Sequence, residues 1–254
     1  LAKRCTTSIY DHLHLDDNGV AWLRPVLEDF VDAYTVSSLK LDSIYRRLFP
    51  SAPPRLVAQD GVDLGLFTPT NRSAQWSGSG PLVLGWVGNS KWAAELDDFK
   101  GLHTIIEPAV RKLRAEGLPI ETNWCDKHVK YTPHRLMPDY YRSIDLLLCA
   151  SKIEGTPNPV LEAMASGVPV ISTNVGIVPE AFGPLQRNFI LENRSVDDIV
   201  GAIRTMHQDR DIMRQCAEEN MRSIREWSWS IRIEAFRIFF REVLSRDPRK
   251  KEPL

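Results

Sequence analysis

Cysteine is scarce in this 254-residue chain: Cys5, Cys125, Cys149 and Cys216 are scattered, without metal-ligand spacing. That pattern fits a reducing, cytoplasmic setting, and without a His/Cys cluster no metal site is expected. Cys149 lies inside an apolar run and reads as a reduced small hydrophobe. An excess of charge is missing too. Lysine and arginine number 32 against 33 aspartates and glutamates, so no bulk field draws the chain to nucleic acid. No apolar run approaches the roughly twenty residues that a membrane-crossing helix needs. The sequence also lacks an initial methionine and a signal peptide, and its start at Leu1 is expected to be a trimmed one.

What is present is ordinary for a globular chain, with 43% hydrophobic and 26% charged residues. The length allows one large or two small domains. Cys5–Asp11 reads as a strand, and Val20–Val31 as a helix with Trp22, Val26, Leu27 and Phe30 on one side. Asp32–Ser38 is a second strand, whose terminal hydroxyls can cap a helix over residues 39–49. Arg55–Pro69 gives a third strand running into a turn at Asp60-Gly61. Strand, helix, strand, helix, strand implies a parallel sheet with crossovers.

The polar, glycine- and serine-rich stretch 71–80 is expected to be a linker. Beyond it, strands at Pro81–Gly88, 120–126, Ile144–Ser151 and 169–175 alternate with helices. That alternation predicts a doubly wound, Rossmann-like parallel sheet over 81–228, with ligands outside the carboxyl ends of its strands. The loops there are Gly88–Lys91, Asp126–Tyr131, Ser151–Asn158 and Asn174–Glu180. A last helix, Trp229–Leu244, puts Trp229, Ile233, Phe236, Phe240 and Val243 on one stripe, which is expected to be buried. Membrane-surface attachment is the rival reading, because Arg232, Arg237 and Arg241 line the other side. Residues 246–254 are expected to form a disordered tail.

The densest chemistry lies in Glu154–Gly167, EGTPNPVLEAMASG. Asn158 reads as an N-cap and Pro159 as the first helical residue. Val160, Leu161, Met164 and Ala165 form an apolar face. The helix start offers free N–H groups and the positive end of its dipole to an anion. Glu154 precedes the helix, and Glu162 follows about one turn inside it. Two carboxylates beside such a helix start suit a ligand with both hydroxyls and phosphate.

With its flanking strands, this phrase resembles the E-x7-E motif of retaining GT-B glycosyltransferases, family 4 in particular. The resemblance implies an α/β fold of GT-B type. Residues 81–228 would be the Rossmann-like donor domain, and 1–70 the closing part of an N-terminal, acceptor-side Rossmann-like domain. Residues 229–245 would cross back to brace the latter. By usual domain sizes, about a hundred residues of that first domain would be absent. The hinge between the domains reads QDGVDLGLFTP (Gln59–Pro69), with Asp60 where the family has Asn.

Carried over residue by residue, Glu154 faces the donor sugar and Glu162 holds the ribose hydroxyls through charge-assisted hydrogen bonds. Gly155, Thr156 and Asn158 line the same space with backbone N–H groups. Lys100, before Gly101, meets the pyrophosphate. Gly88-Asn89 stands where the family has Gly-Arg, so that arginine is missing. Lys91 is the nearby substitute, a point charge without the guanidinium fork. Tyr131 is the candidate platform for the base, and His12 matches a family histidine near the sugar. Glu154, Lys100 and His12 are thus the candidate catalytic residues. Glu180, His134 and Met137 read as structural.

The implied activity is metal-independent, retaining transfer of a hexose-type sugar from a nucleoside-diphosphate sugar to a glycan or lipid-linked acceptor. No cofactor is implied beyond that substrate. The setting would be cytoplasmic, or peripheral at the inner membrane face, in polysaccharide biosynthesis. One alternative is a truncated, non-catalytic module that binds the nucleotide sugar or a partner. A GT-B epimerase or phosphorylase is the other. For these the sequence shows neither a separate acid/base carboxylate pair nor a pyridoxal-phosphate lysine pattern.

Overall fold

The computed structural model describes residues 4–53, 55–69, 76 and 80–245. The expected tail, and the expected linker apart from Trp76 and Gly80, lie outside the described residues. The first unit holds β1 (Thr6–Ile9), α1 (Asp17–Pro25), β2 (Ala33–Val36), α2 (Leu39–Leu48) and β3 (Arg55–Val57). Its strands pair in parallel in the order β1-β2-β3. Ser38 caps α2 as its position implied, its Oγ accepting the Leu41 N–H at 3.1 Å.

The helix at α1 departs from its expected face. Pro25 has no N–H to give the preceding turn, and the chain widens into a π-helical turn, Val26–Phe30. The wider turn re-phases the residues that follow. Leu27 and Val31 turn inward against Tyr34 and Val36, with Val20 and Leu23 packed beside them. Trp22 and Phe30, expected on one side with Val26 and Leu27, are 71% and 46% exposed.

The second unit holds β4 (Leu82–Gly88), α3 (Glu107–Ala115), β5 (Ile120–Asp126), α4 (Met137–Arg142) and β6 (Leu146–Cys149). It continues with α5 (Asn158–Ala165), β7 (Val170–Thr173), α6 (Val178–Ala181), β8 (Ile190–Leu191), α7 (Val196–Gln208) and α8 (Arg210–Ser223). All five strands are parallel, in the order β5-β4-β6-β7-β8. Side chains alternate across the sheet, so it carries two cores. Leu146 and Leu148 join Leu84 and helices α3 and α7 on one face, while Leu147 joins α5 on the other. Trp76 belongs to the first of these cores and donates its indole N–H to Asp145 at 3.2 Å.

Helix α9 (Trp229–Ser245) crosses back to the first sheet, where Phe239 and Val243 pack on Ala33 and Leu56. The expected stripe is largely open, with Trp229, Ile233 and Phe240 each at least 40% exposed. A three-stranded sheet is too narrow to cover both flanks of this helix, and the buried line runs through Phe239 instead. Beside it the hinge segment meets the approach to α9: the Val62 N–H bonds the Trp227 carbonyl at 2.8 Å, and the Trp229 N–H bonds the Val62 carbonyl at 3.2 Å. Among the described residues no helix is long and apolar enough to cross a membrane.

Candidate functional site

In the second sheet β4 has β5 on one side and β6 on the other, so the strand order reverses at β4. Crevices at such switch points, outside the carboxyl ends of the strands, are where open parallel sheets bind ligands. A cavity of about 460 Å³ opens there. Gly88 and Asn89 line it from the loop after β4, and Lys127, Lys130 and Tyr131 from the turn after β5. Lys100, Glu154, Thr156 and Asn158 line it from the other side.

Asp126, at the end of β5, ties two of these loops together. Its Oδ1 accepts the N–H groups of Ser90 at 3.1 Å and His128 at 2.9 Å. Burial pushes this carboxyl up, but the hydrogen bonds outweigh it and hold the group below the usual carboxylate range. The Lys127 N–H also bonds the Gly88 carbonyl, at 2.8 Å.

Lys100 and Glu154 meet inside the cavity, Nζ to Oε1 at 2.6 Å, with the ammonium 5.2 Å from the centre of the Trp92 ring. Their geometry is set by Gly101, which has φ +71° and lies so close to β6 that a Cβ would stand 2.4 Å from the Ala150 carbonyl oxygen. Asp98 holds the same turn by accepting the N–H groups of Gly101, His103 and Thr104.

Asn158 is the first helical residue of α5 rather than its cap, and Pro159 is the second. The Val160 N–H bonds the Pro157 carbonyl at 2.8 Å, which starts the turn one residue earlier than expected. Among the described residues no side chain caps this helix start. Gly155 lies behind the cavity, pressed against the first unit. A Cβ there would stand 2.1 Å from the Tyr10 carbonyl oxygen and 2.2 Å from Ser37 Oγ. Thr156 donates to the Ser37 carbonyl at 3.2 Å.

Glu162 does not line the large cavity. Its Oε2 accepts the Tyr141 hydroxyl at 2.7 Å, and its Oε1 lies 3.1 Å from His134 Nε2. Burial raises its pKa, against the hydrogen bonds of Tyr141 and His134. It lines a second cavity of about 110 Å³ with Gly61, Asp63, Phe67, His134 and Trp229. Asn158 borders both cavities and so stands between the two carboxylates of the motif.

Lys91 and His12 lie off both cavities. The Lys91 backbone N–H bonds Asn89 Oδ1 at 3.0 Å. His12 Nδ1 is buried without a hydrogen-bond partner among the described residues. Burial, helped by Lys40, lowers the pKa of that imidazole. Lys127 and Lys130 were not singled out in the sequence. The available signal was their alternation in DKHVKY, within a loop already expected to face a ligand. Glu180 bridges the two units instead. It accepts the Leu39 N–H at 3.0 Å and the Gln59 amide, whose oxygen accepts from Arg232 at 2.9 Å.

Paired Rossmann-like units with parallel sheets and a cleft at the switch point define a GT-B glycosyltransferase fold. Residues 104–223 match the family model described as Glycosyl transferases group 1. Over 79 residues it is 35% identical to the lipopolysaccharide core biosynthesis mannosyltransferase LpsB of Rhizobium meliloti. That alignment covers 30% of this chain and 22% of LpsB, so it spans under a quarter of the relative's length. Sucrose-phosphate synthase from Thermosynechococcus elongatus superposes with a TM-score of 0.70 at 18% identity, over 91% of this chain and 63% of that one. HepE from Anabaena, solved in complex with UDP-glucose, superposes with a TM-score of 0.70 at 15% identity, over 94% of this chain and 72% of that one. At these identities the structural likeness is one of fold.

Proposed function

We propose that this chain binds a nucleoside-diphosphate sugar and takes part in transferring its hexose-type sugar, with retention and without a metal, to a glycan or lipid-linked acceptor. The observation that carries this reading is the Lys100–Glu154 pair, 2.6 Å apart in a cavity bordered by the uncapped start of α5. In this scheme the bond from the sugar's anomeric carbon to the diphosphate breaks while the acceptor oxygen bonds that carbon on the same face. The acceptor proton passes to the departing phosphate. Lys100 offsets the charge that develops on the diphosphate, and Glu154 accepts from a sugar hydroxyl while orienting Lys100. Glu162 remains a ribose ligand, approached from the small cavity that it shares with Asn158.

The relatives support the class of substrate. LpsB is named a mannosyltransferase of lipopolysaccharide core biosynthesis, and HepE was solved with UDP-glucose. We place the activity in the cytoplasm, in keeping with four free cysteines. A second reading is favoured by the open edge of β1, which pairs only with β2 among the described residues. In that reading this chain supplies donor binding, and further strands beside β1 supply acceptor recognition.

Calorimetric titration with UDP, GDP and ADP, and then with their hexose conjugates, tests the donor assignment. Saturable binding of one nucleotide, lost in Lys100→Ala, is the expected result. A folded sample that binds none of them refutes it. Sugar transfer by the chain alone would overturn the second reading.

A further inference from the structure

The cationic side chains of the large cavity divide into two groups. Lys100 is neutralised by Glu154 at 2.6 Å. Asn89, after β4, brings no charge. Lys127 and Lys130 also line the cavity, and neither forms an ion pair with a carboxylate among the described residues. Without these two, the walls would carry one positive and one negative charge, which cancel. A diphosphate needs more than that.

The backbone of this turn is fixed before any ligand arrives. The Lys127 N–H bonds the Gly88 carbonyl at 2.8 Å, so the lysine is anchored beside the Gly88-Asn89 corner. The Lys130 N–H closes the turn on the Asp126 carbonyl at 2.9 Å, and Asp126 holds Ser90 and His128. Asn158, at the uncapped start of α5, lines the same cavity and brings the positive end of the helix dipole. Two unpaired like charges in one short turn repel each other, and a polyanion between them relieves that repulsion.

We infer that Lys127 and Lys130 bind the diphosphate of the donor in this chain, supplying the positive charge that Asn89 does not. This rests on the donor reading above and names a phosphate-binding element outside the E-x7-E segment. The ligand is a nucleoside diphosphate, held by two flexible point charges from the turn after β5. Binding through ammonium groups is also expected to depend on salt.

The test is calorimetry on the full chain with UDP, GDP and ADP, followed by the monophosphate and the free nucleoside of whichever base binds. Lys127→Ala, Lys130→Ala and the double variant are compared with Lys112→Ala, whose lysine pairs with Asp197 away from the cavity. The double variant is expected to lose at least about tenfold in diphosphate affinity, as two charge-assisted contacts imply. Nucleoside affinity should stay within about twofold, and the salt dependence of diphosphate binding should flatten. Lys112→Ala should match the wild type. Unchanged diphosphate affinity in the double variant overturns the inference while leaving the donor reading intact. An equal loss for nucleoside and diphosphate also overturns it, since the lysines would then shape the cavity or contact the base. If the folded wild type binds no nucleotide, the donor reading itself fails. Circular dichroism and thermal melting of each variant separate these outcomes from misfolding.

Discussion

Tyr141 donates its buried hydroxyl to Glu162 at 2.7 Å, so the second carboxylate of the motif is held by its own domain before any ligand is present. Tyr141 is completely buried, and burial together with the Glu162 charge pushes its pKa well above the ordinary phenol value. Glu162→Ala would leave that hydroxyl without this acceptor, at a cost of about 1–3 kcal/mol. The thermal midpoint is expected to fall by roughly 2–10 °C. An unchanged midpoint in a melting experiment would show that the pair does not stabilise the fold.

Titration of Glu162 gives a second expectation. Burial raises its folded pKa above 4.5, so the folded state holds this proton more tightly than the unfolded chain does. Its contribution to stability is therefore fully present below the unfolded value and is lost as pH rises through the folded value. Glu162→Gln abolishes the titration. Relative to that variant, the wild type should lose stability as pH climbs from about 4.5 towards neutrality. Denaturant titrations at several pH values measure this, and a difference that grows with pH in favour of the wild type would refute it.

Lys100→Met should lower kcat/KM for sugar transfer by about a hundredfold or more, in an assembly where the wild type turns over. Glu154→Gln keeps a hydrogen-bond acceptor but loses the charge, and the loss should be smaller. Wild-type donor affinity and turnover in Lys100→Met would remove the pair from the mechanism.

Gly155 marks a close approach between the loop before α5 and the first unit. Gly155→Ala drives a methyl group into the Tyr10 carbonyl and Ser37 Oγ, and an overpacked contact of this kind costs about 1–3 kcal/mol. Gly201→Ala is the control, because Gly201 lies within α7 with nothing near its Cβ position. There alanine should be neutral or stabilise by up to about 1 kcal/mol. Thermal melting of both variants, with limited proteolysis between the units, provides the comparison.

Local pattern carried far in this sequence. β4 and β6 are short apolar runs, and β5 spans Ile120–Asp126, the same residues that the sequence implied. The parallel order follows from helices between successive strands. Features that depend on distant partners were not legible. A helical wheel assumes a constant turn per residue, which fails where Pro25 opens the π-helical turn that holds the exposed Phe30. The same limit applied to α9, whose buried line is chosen by Ala33 and Leu56 of another sheet. Glu154 and Glu162 read as one site from their spacing, yet Tyr141 and His134 claim the second carboxylate. The lysines at 127 and 130 stood in an expected ligand loop, but their side of the cavity depends on the β4–β5 pairing.

The two passages of the chain between the units run side by side, bonded at Val62, Trp227 and Trp229. Gly61 lies so close to Trp229 that a Cβ would stand 2.8 Å from its Cα. Two adjacent crossings joined in this way form one doubled connection, in which neither strand of the chain can slide without breaking bonds to the other. Glu162 shares its small cavity with Gly61, Val62 and Trp229 and so sits beside that connection. Glu154 adjoins Gly155, which is pressed against Tyr10 and Ser37 of the first unit. The two carboxylates of one helix start thus answer to different parts of the seam: Glu162 to the doubled connection, Glu154 to the contact with the first unit.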